Sequence, residues 1–405
     1  MTAPAALPPF TLAGWPAERI ADPYPLYRSY REAATVHRVP GEGSGPDSYY
    51  VFGYAPAARA LSSPRLGRRI PGGNTPLTHR AIADTAVREM VEDWLVFLDP
   101  PRHTRLRAIL SREFTPRMVA GLRPRLAAIA RHLLMNRQEL DLVEDFAAPF
   151  PVLVISELLG LPAGDGSWLR AASLRLQQGS SSRAGQAPEG AAQADAAARE
   201  LTWYFREQIG SRRARPGRDL ISLLLGHEGL AETEIAATCV HLLTAGHETT
   251  THLISKSVLA LLRNPELLAH LRADPALLAE AVEELARYDP PVQAVTRWAQ
   301  RDERLGDHLV PRGSKVTVLL GAANRDPGQF ADPDTPRLHR RQIGPQLAFG
   351  LGIHYCLGAA LARAEVELAL AELLGRLAGA QLLEQPVRYA QDLLFHGPER
   401  LPLRW

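Results

Sequence analysis

The stretch Phe349-Gly350-Leu351-Gly352-Ile353-His354-Tyr355-Cys356-Leu357-Gly358 holds residue types and spacing that could do chemistry. Its glycines let the backbone pass close beneath a flat object, and a helical run follows at once. A cysteine at a helix entrance has its thiolate favoured by free N–H groups and the positive end of the helix dipole. Cys356 could be a metal ligand, a nucleophile assisted by His354, or a small buried hydrophobe. Zinc is disfavoured, because no Cys-x-x-Cys or paired histidine lies near. Cys239 sits mid-helix without such a setting and reads as core.

Basic groups recur at separate places. Pro100-Pro101 start a helix and set His103 and Arg107 four residues apart on one face. Arg297 follows the Pro290-Pro291 break in an extended segment, and His354 lies inside the glycine loop. Taken singly, each is more often a solvated charge. Together they could hold the two carboxylates of a large planar anion, which favours an axial thiolate to heme iron as the role of Cys356. Glu284 and Arg287, three apart on one helix, read on spacing alone as a weak surface ion pair. In Ala245-Gly246-His247-Glu248-Thr249-Thr250 a carboxylate stands next to an alcohol among poor helix formers.

The elements that must position these groups are mostly helical. Apolar residues recur at three- and four-residue spacing over 120–134, 232–262, 275–288 and 357–377. The 232–263 segment, with Thr233 as its expected cap and Asn264-Pro265 as its stop, would be roughly 45 Å long and run through the middle of the molecule. Its weak centre implies a kink there or a use there. Strand-like pieces are short, over 48–51 and 315–320. No internal repeat and no long linker appears, so a single domain over 1–405 is expected. The Gly-, Ser-, Ala- and Gln-rich stretch 177–198 reads as a surface loop running into an Ala-rich helix, a place where a lid could sit.

Composition closes off other classes. Over 405 residues, 46 Lys+Arg stand against 44 Asp+Glu, so binding nucleic acid through bulk charge is excluded. Two cysteines cannot make a disulfide framework, and no apolar stretch is long enough to span a membrane. The N-terminus has no signal-peptide pattern, and a cytoplasmic monomer is the expectation.

Over nearly its full length the chain resembles the cytochrome P450 family, specifically the soluble bacterial type. The resemblance rests on Phe349-x-x-Gly352-x-His354-x-Cys356-x-Gly358, on Glu284-x-x-Arg287, and on Ala245-Gly246-His247-Glu248-Thr249-Thr250, in that family's order. It implies a mainly α fold with small β-sheets, with heme b (iron protoporphyrin IX) between the long central helix and the helix after the cysteine loop. It implies that Cys356 ligates the iron, and that His103, Arg107, Arg297 and His354 are propionate partners. Ala245, Gly246, Phe349, Gly350 and Gly358 would lie against the ring. Glu284–Arg287 becomes a buried pair completed by a meander arginine, Arg340 or Arg341. Two departures from the family pattern are Thr335-Pro336, without the usual aromatic, and Gln346, where a histidine often stands.

The activity implied is that of a monooxygenase: one atom of O2 enters an organic substrate, by hydroxylation or epoxidation, and the other becomes water. Glu248 would relay protons, Thr249 would hydrogen-bond the oxygen being activated, and Gly246 would open a groove for O2. Oxidative ring closure or coupling would use the same site, whereas a heme-binding sensor or carrier would not need the Glu248–Thr249 pair. Electrons would come from a ferredoxin or flavodoxin-type donor with an NAD(P)H-dependent reductase. The pocket would be lined by the 70–98 and 165–205 regions, Leu242, Ala245, Val292, Val295, Leu394 and Phe395, with Gln293 and His396 as polar anchors. Such a lining suits a medium or large, mostly hydrophobic secondary metabolite intermediate: a polyketide, macrolide, peptide or terpenoid.

Overall fold

Each expected helix forms where its apolar face finds a partner. The computed structural model describes residues 7–41, 43, 45–72, 85–177, 188–340 and 344–405. The 120–134 pattern is the body of a helix at Pro116–Leu134, which begins earlier because the Thr115 hydroxyl accepts from the Met118 N–H and Pro116 occupies the first position. The 275–288 pattern opens with a 3-10 turn at Pro275–Leu277 and continues as an α-helix at Leu278–Tyr288. After the cysteine loop a helix spans Ala359–Leu377.

The central helix, Glu232–Arg263, is buried on all sides over Leu253–Leu261. It packs against helices Pro149–Leu159, Pro188–Ala214, Leu278–Tyr288 and Ala359–Leu377. Its cap differs from the one expected. The N-cap is Ala231, whose N–H donates to the Glu234 carboxylate at 3.1 Å, so Glu234 does what Thr233 was expected to do. The helix runs through its weak centre without a break. Hydroxyls there bond back to carbonyls one turn earlier: Thr244 to Val240, Thr249 to Ala245, Thr251 to His247 and Ser255 to Thr251, at 2.7–2.9 Å. Side chains that usually compete with helix backbone are thereby absorbed by it.

Short strands build a five-stranded sheet in the order Val36–Val39, Ser48–Val51, Lys315–Leu319, Ala294–Ala299, Leu66–Gly67. Ser48–Val51 runs parallel to Lys315–Leu319, and the other pairings are antiparallel. A three-stranded sheet of Glu139–Asp141, Pro402–Arg404 and Gln381–Leu382 brings the C-terminus back against the helical body. One apolar core surrounds the central helix, and a smaller one lies under the large sheet. The Ala-rich part of 177–198 is helical from Pro188, while 178–187 lies outside the described residues, as does 73–84 of the expected pocket loop. Among the described residues no helix is long and apolar enough to cross a membrane.

Candidate active site

The cysteine loop is held by its backbone. Gly350 and Gly352 both have φ of +72°, a conformation that side chains resist. A Cβ on Gly352 would also meet the Leu61 carbonyl oxygen at 2.6 Å. The Cys356 N–H donates to the Phe349 carbonyl at 2.8 Å, which closes the loop just before the Ala359–Leu377 helix. Arg363, one turn into that helix, stacks over Phe349 at 4.3 Å, bonds the Tyr355 hydroxyl at 3.0 Å and pairs with Glu283. Gln346 fits here without strain, donating to Glu283 and accepting from the Ala348 N–H.

The Cys356 residue is exposed, with Arg107 and Arg363 close enough to act on its thiol. Burial raises the thiol pKa, while the Gly358 N–H and the charges of Arg107 and Arg363 act the other way. In the protein alone, therefore, the helix entrance does not outweigh desolvation as the thiolate argument expected. Gly358 has no protein-side need to be glycine, since a Cβ there would meet nothing within 4 Å. Cys239, by contrast, is fully buried in the central helix and its thiol is pushed far up.

Four expected cationic or imidazole groups gather beside Cys356. The His103 and His354 rings lie 4.4 Å apart, and Arg107 bonds the Tyr355 carbonyl at 2.7 Å. Arg297 is buried, and its one hydrogen bond among the described residues is to the neighbouring Thr296 carbonyl, at 3.0 Å. Burial, with the nearby Arg68 charge, pulls its pKa down to about 9, against the pull of Asp99. Arg68, absent from the expected set, belongs to this group. Its guanidinium bonds the Val96 and Thr296 carbonyls, and burial brings it to about 10. Among the described residues, both nitrogens of His103 and Nε2 of His354 are buried without a partner. Burial, then the surrounding arginines, drives the His354 pKa far down. Clustered arginines, with Asp99 as their neighbouring carboxylate, and orphaned imidazole nitrogens beside the exposed Cys356 fit a planar dianion with a thiophilic metal at its centre.

On the central helix, Ala245 is exposed and Thr249 half-buried although the helix crosses the protein interior, so this face borders an opening. Glu248 is buried, with His252 Nε2 at 3.6 Å from its carboxylate. The groove expected at Gly246 does not interrupt the helix. A Cβ on Gly246 would lie 3.2 Å from Ile155, so its small size serves packing against Pro149–Leu159.

Glu284 and Arg287 form a buried pair, as the resemblance implied. Arg287 grips both carboxylate oxygens at 2.7 and 2.8 Å and donates to the Asn324 and Pro333 carbonyls. Arg340 bonds the same carboxylate at 3.0 Å and so is the arginine that completes the group, while Arg341 lies outside the described residues.

Gln293 and His396 are corrected. Gln293 is fully buried and donates to the Pro290 carbonyl at 2.8 Å and the Tyr24 hydroxyl at 3.2 Å. His396 lies between Lys256 Nζ and the Ile20 carbonyl, 2.7 Å from each. Lys256, also buried, pairs with Asp289 at 2.6 Å. The two expected anchors thus belong to a polar knot that ties the N-terminal segment, the central helix and the C-terminal turn together. Replacing Lys256 with Met should destabilise the fold by about 3 kcal/mol, the low end for breaking a buried pair, because the half-buried Asp289 carboxylate loses its nearest cation while Arg325 remains; chemical denaturation measures it. Of the remaining pocket residues, Val292 and Phe395 meet in a β-bridge, and Leu242, Val295 and Leu394 are half-buried.

A family model described as Cytochrome P450 matches residues 189–385. The chain is 39% identical over 400 residues to cytochrome P450 monooxygenase PikC of Streptomyces venezuelae, covering 95% of this chain and 91% of that one. It is 37% identical over 401 residues to 6-deoxyerythronolide B hydroxylase of Saccharopolyspora erythraea, covering 95% and 96%. Among solved structures, that of P450BioI in complex with an acyl carrier protein ligated to hexadec-9Z-enoic acid superimposes with a TM-score of 0.88. It is 34% identical and covers 96% of this chain and 99% of that one. Likeness over nine-tenths of both partners, on a fold whose cysteine loop and neighbouring cations suit an iron porphyrin, places the chain in the cytochrome P450 family, the oxidoreductases that carry heme b and act as monooxygenases.

Proposed function

We propose that this protein is a heme-thiolate monooxygenase that hydroxylates or epoxidises a medium or large, mostly hydrophobic natural-product intermediate. One observation carries the reading: an exposed Cys356 beside Arg68, His103, Arg107, Arg297 and His354, with Asp99 as the carboxylate neighbouring the arginines. We assign 1–405 to one catalytic unit. Cys356 would ligate the iron, and His103, Arg107, Arg297 and His354 would hold the propionates. Ala245, Gly246, Phe349, Gly350 and Gly358 would lie against the ring.

Bound heme supplies reductive activation of O2, with one atom going to substrate and the other to water. The chain's own contribution is to proton delivery and exclusion of water. Thr249 keeps its hydroxyl proton on the Ala245 carbonyl at 2.7 Å, which leaves oxygen lone pairs to accept at the open face. Glu248, one residue earlier and buried, would pass protons toward it. Leu242, Val292, Val295, Leu394 and Phe395 would line the substrate side. The name of the hydroxylase relative supports a macrolide-type polyketide substrate, and the carrier-protein complex of P450BioI supports the option of a carrier-bound one. Electrons would come from a ferredoxin or flavodoxin-type donor with its NAD(P)H reductase, in the cytoplasm.

The reduced carbon-monoxide complex of the purified protein should absorb at the long wavelength typical of thiolate ligation. Cys356→His should abolish that band and Cys239→Ser should leave it. A band that follows Cys239 would overturn the assignment. With labelled O2 and a macrolide panel, product should carry one labelled oxygen atom.

A further inference from the structure

His241 lies one helical turn before Ala245 on the central helix, so the two side chains share the face that borders the opening. Its ring is half-buried and stacks on Trp94 at 5.0 Å and 16°. Trp94 stacks in turn on Phe97 at 6.2 Å and 9°, and the Arg68 guanidinium sits 5.4 Å from the Phe97 ring. A continuous stack therefore runs from the cation group at the cofactor edge to the substrate side of the helix. No mechanism step uses it.

The stack ends in polar atoms with nothing to bond. Among the described residues the Trp94 indole N–H is buried without a partner, and the His241 ring, half-buried at the same face, has its stacking contact with Trp94 and no hydrogen bond. Gln177 donates to the Thr244 carbonyl at 3.4 Å, on the same stretch of helix, and leaves its own Oε1 buried and unpaired. Burial takes the His241 pKa down to about 4, so near neutral pH the ring is uncharged and offers one N–H donor and one acceptor nitrogen. The uncharged ring carries no charge to pair with an ionised substrate group. A neutral substrate oxygen that displaces water from this face can accept from the ring N–H.

We infer that His241, held by its stack on Trp94, is a specificity-determining residue that selects substrates carrying a neutral ketone or hydroxyl over hydrocarbon ones. The inference rests on the monooxygenase reading above and narrows its substrate class to oxygenated, uncharged molecules. The ring N–H donates to the ketone or hydroxyl oxygen, and Trp94 fixes the ring plane.

Cyclododecanone and cyclododecane differ only in the ketone, and their binding to the heme-loaded enzyme is read from the shift they cause in the heme absorption spectrum. The wild-type protein should bind the ketone about tenfold more tightly, the worth of one net hydrogen bond. His241→Phe, which keeps an aromatic ring against Trp94, should abolish that preference while leaving cyclododecane affinity within about twofold. His241→Gln, which restores a donor and an acceptor without the ring, should regain a preference of about threefold or more. The inference is overturned if His241→Phe keeps the preference, if Phe and Gln lose it equally, or if the ketone causes no shift up to its solubility limit. The carbon-monoxide band, recorded on the same samples, separates these outcomes from a failure of the heme-thiolate reading, which would remove that band from the wild type.

Discussion

Glu284→Ala should be recovered with little heme and little folded protein, rather than as a folded enzyme with reduced activity. In the native protein both oxygens of this carboxylate are used. Arg287 takes them in a fork, Arg340 adds its own bonds, and the Arg337 N–H donates at 2.9 Å. Arg287 has no exposed surface at all, and its remaining donors go to carbonyls of the segment leading to the cysteine loop. Removing the carboxylate leaves Arg287 and Arg340 charged in a site without solvent, at a cost of roughly 3–5 kcal/mol. That is a large part of the 5–15 kcal/mol by which a typical domain is stable. The loss falls where Asn324 also bonds the Leu347 N–H at 2.7 Å, so the loop that presents Cys356 should loosen with it. Glu284→Gln, which keeps an acceptor oxygen but not the charge, should lie between. Heme per polypeptide and the thermal melt are the measurements; wild-type values of both in Glu284→Ala would remove this group from the support of the cofactor loop.

What could be read from the chain beforehand follows a physical division. The cysteine loop was legible because its chemistry is local: positive-φ glycines, a cysteine and a helix start lie within ten positions. The Glu284–Arg287 spacing was legible too, but its burial followed only from the family resemblance, because spacing alone describes an exposed pair equally well. Which meander arginine would reach the pair depended on the path of a loop with no periodicity. Gln293 and His396 were misplaced for a similar reason. Their partners, Lys256, Tyr24 and Ile20, come from distant parts of the chain, so residue type suggested a polar anchor where the fold builds a closed knot. Arg68 was missed because nothing in its neighbourhood distinguishes it from the other arginines around it. Only the sheet, which sets Leu66–Gly67 beside Trp298 and Ala299, brings it to Arg297. The weak centre of the long helix was recognised, yet the helix runs through it without a break. Hydroxyls that propensity counts against a helix are there satisfied by the helix itself.

Thr249→Ala should still bind substrate and accept electrons, but the reducing equivalents it consumes should appear as hydrogen peroxide instead of product. Thr249 is the hydroxyl on the open face of the central helix beside Ala245, and its bond to the Ala245 carbonyl orients it without using its acceptor lone pairs. Deleting that hydroxyl removes the group that would hold water and protons next to the oxygen being activated, so oxygen leaves before its bond is cleaved. Glu248→Gln acts one step earlier. The amide cannot release a proton as the acid does, and turnover should fall about 10²-fold, the low end for losing a general acid. Thr250→Ala should be mild by comparison, because Thr250 is buried on another side of the helix. Thr249→Ser, which restores the hydroxyl, should recover most of the coupling. A substrate with its own hydroxyl close to the reacting carbon can stand in for Thr249, so the comparison requires at least two substrates, one of them without such a group. Product formed per NAD(P)H consumed, with peroxide measured in parallel, decides the matter. Wild-type coupling in Thr249→Ala with every substrate would mean that protons reach the site through other groups.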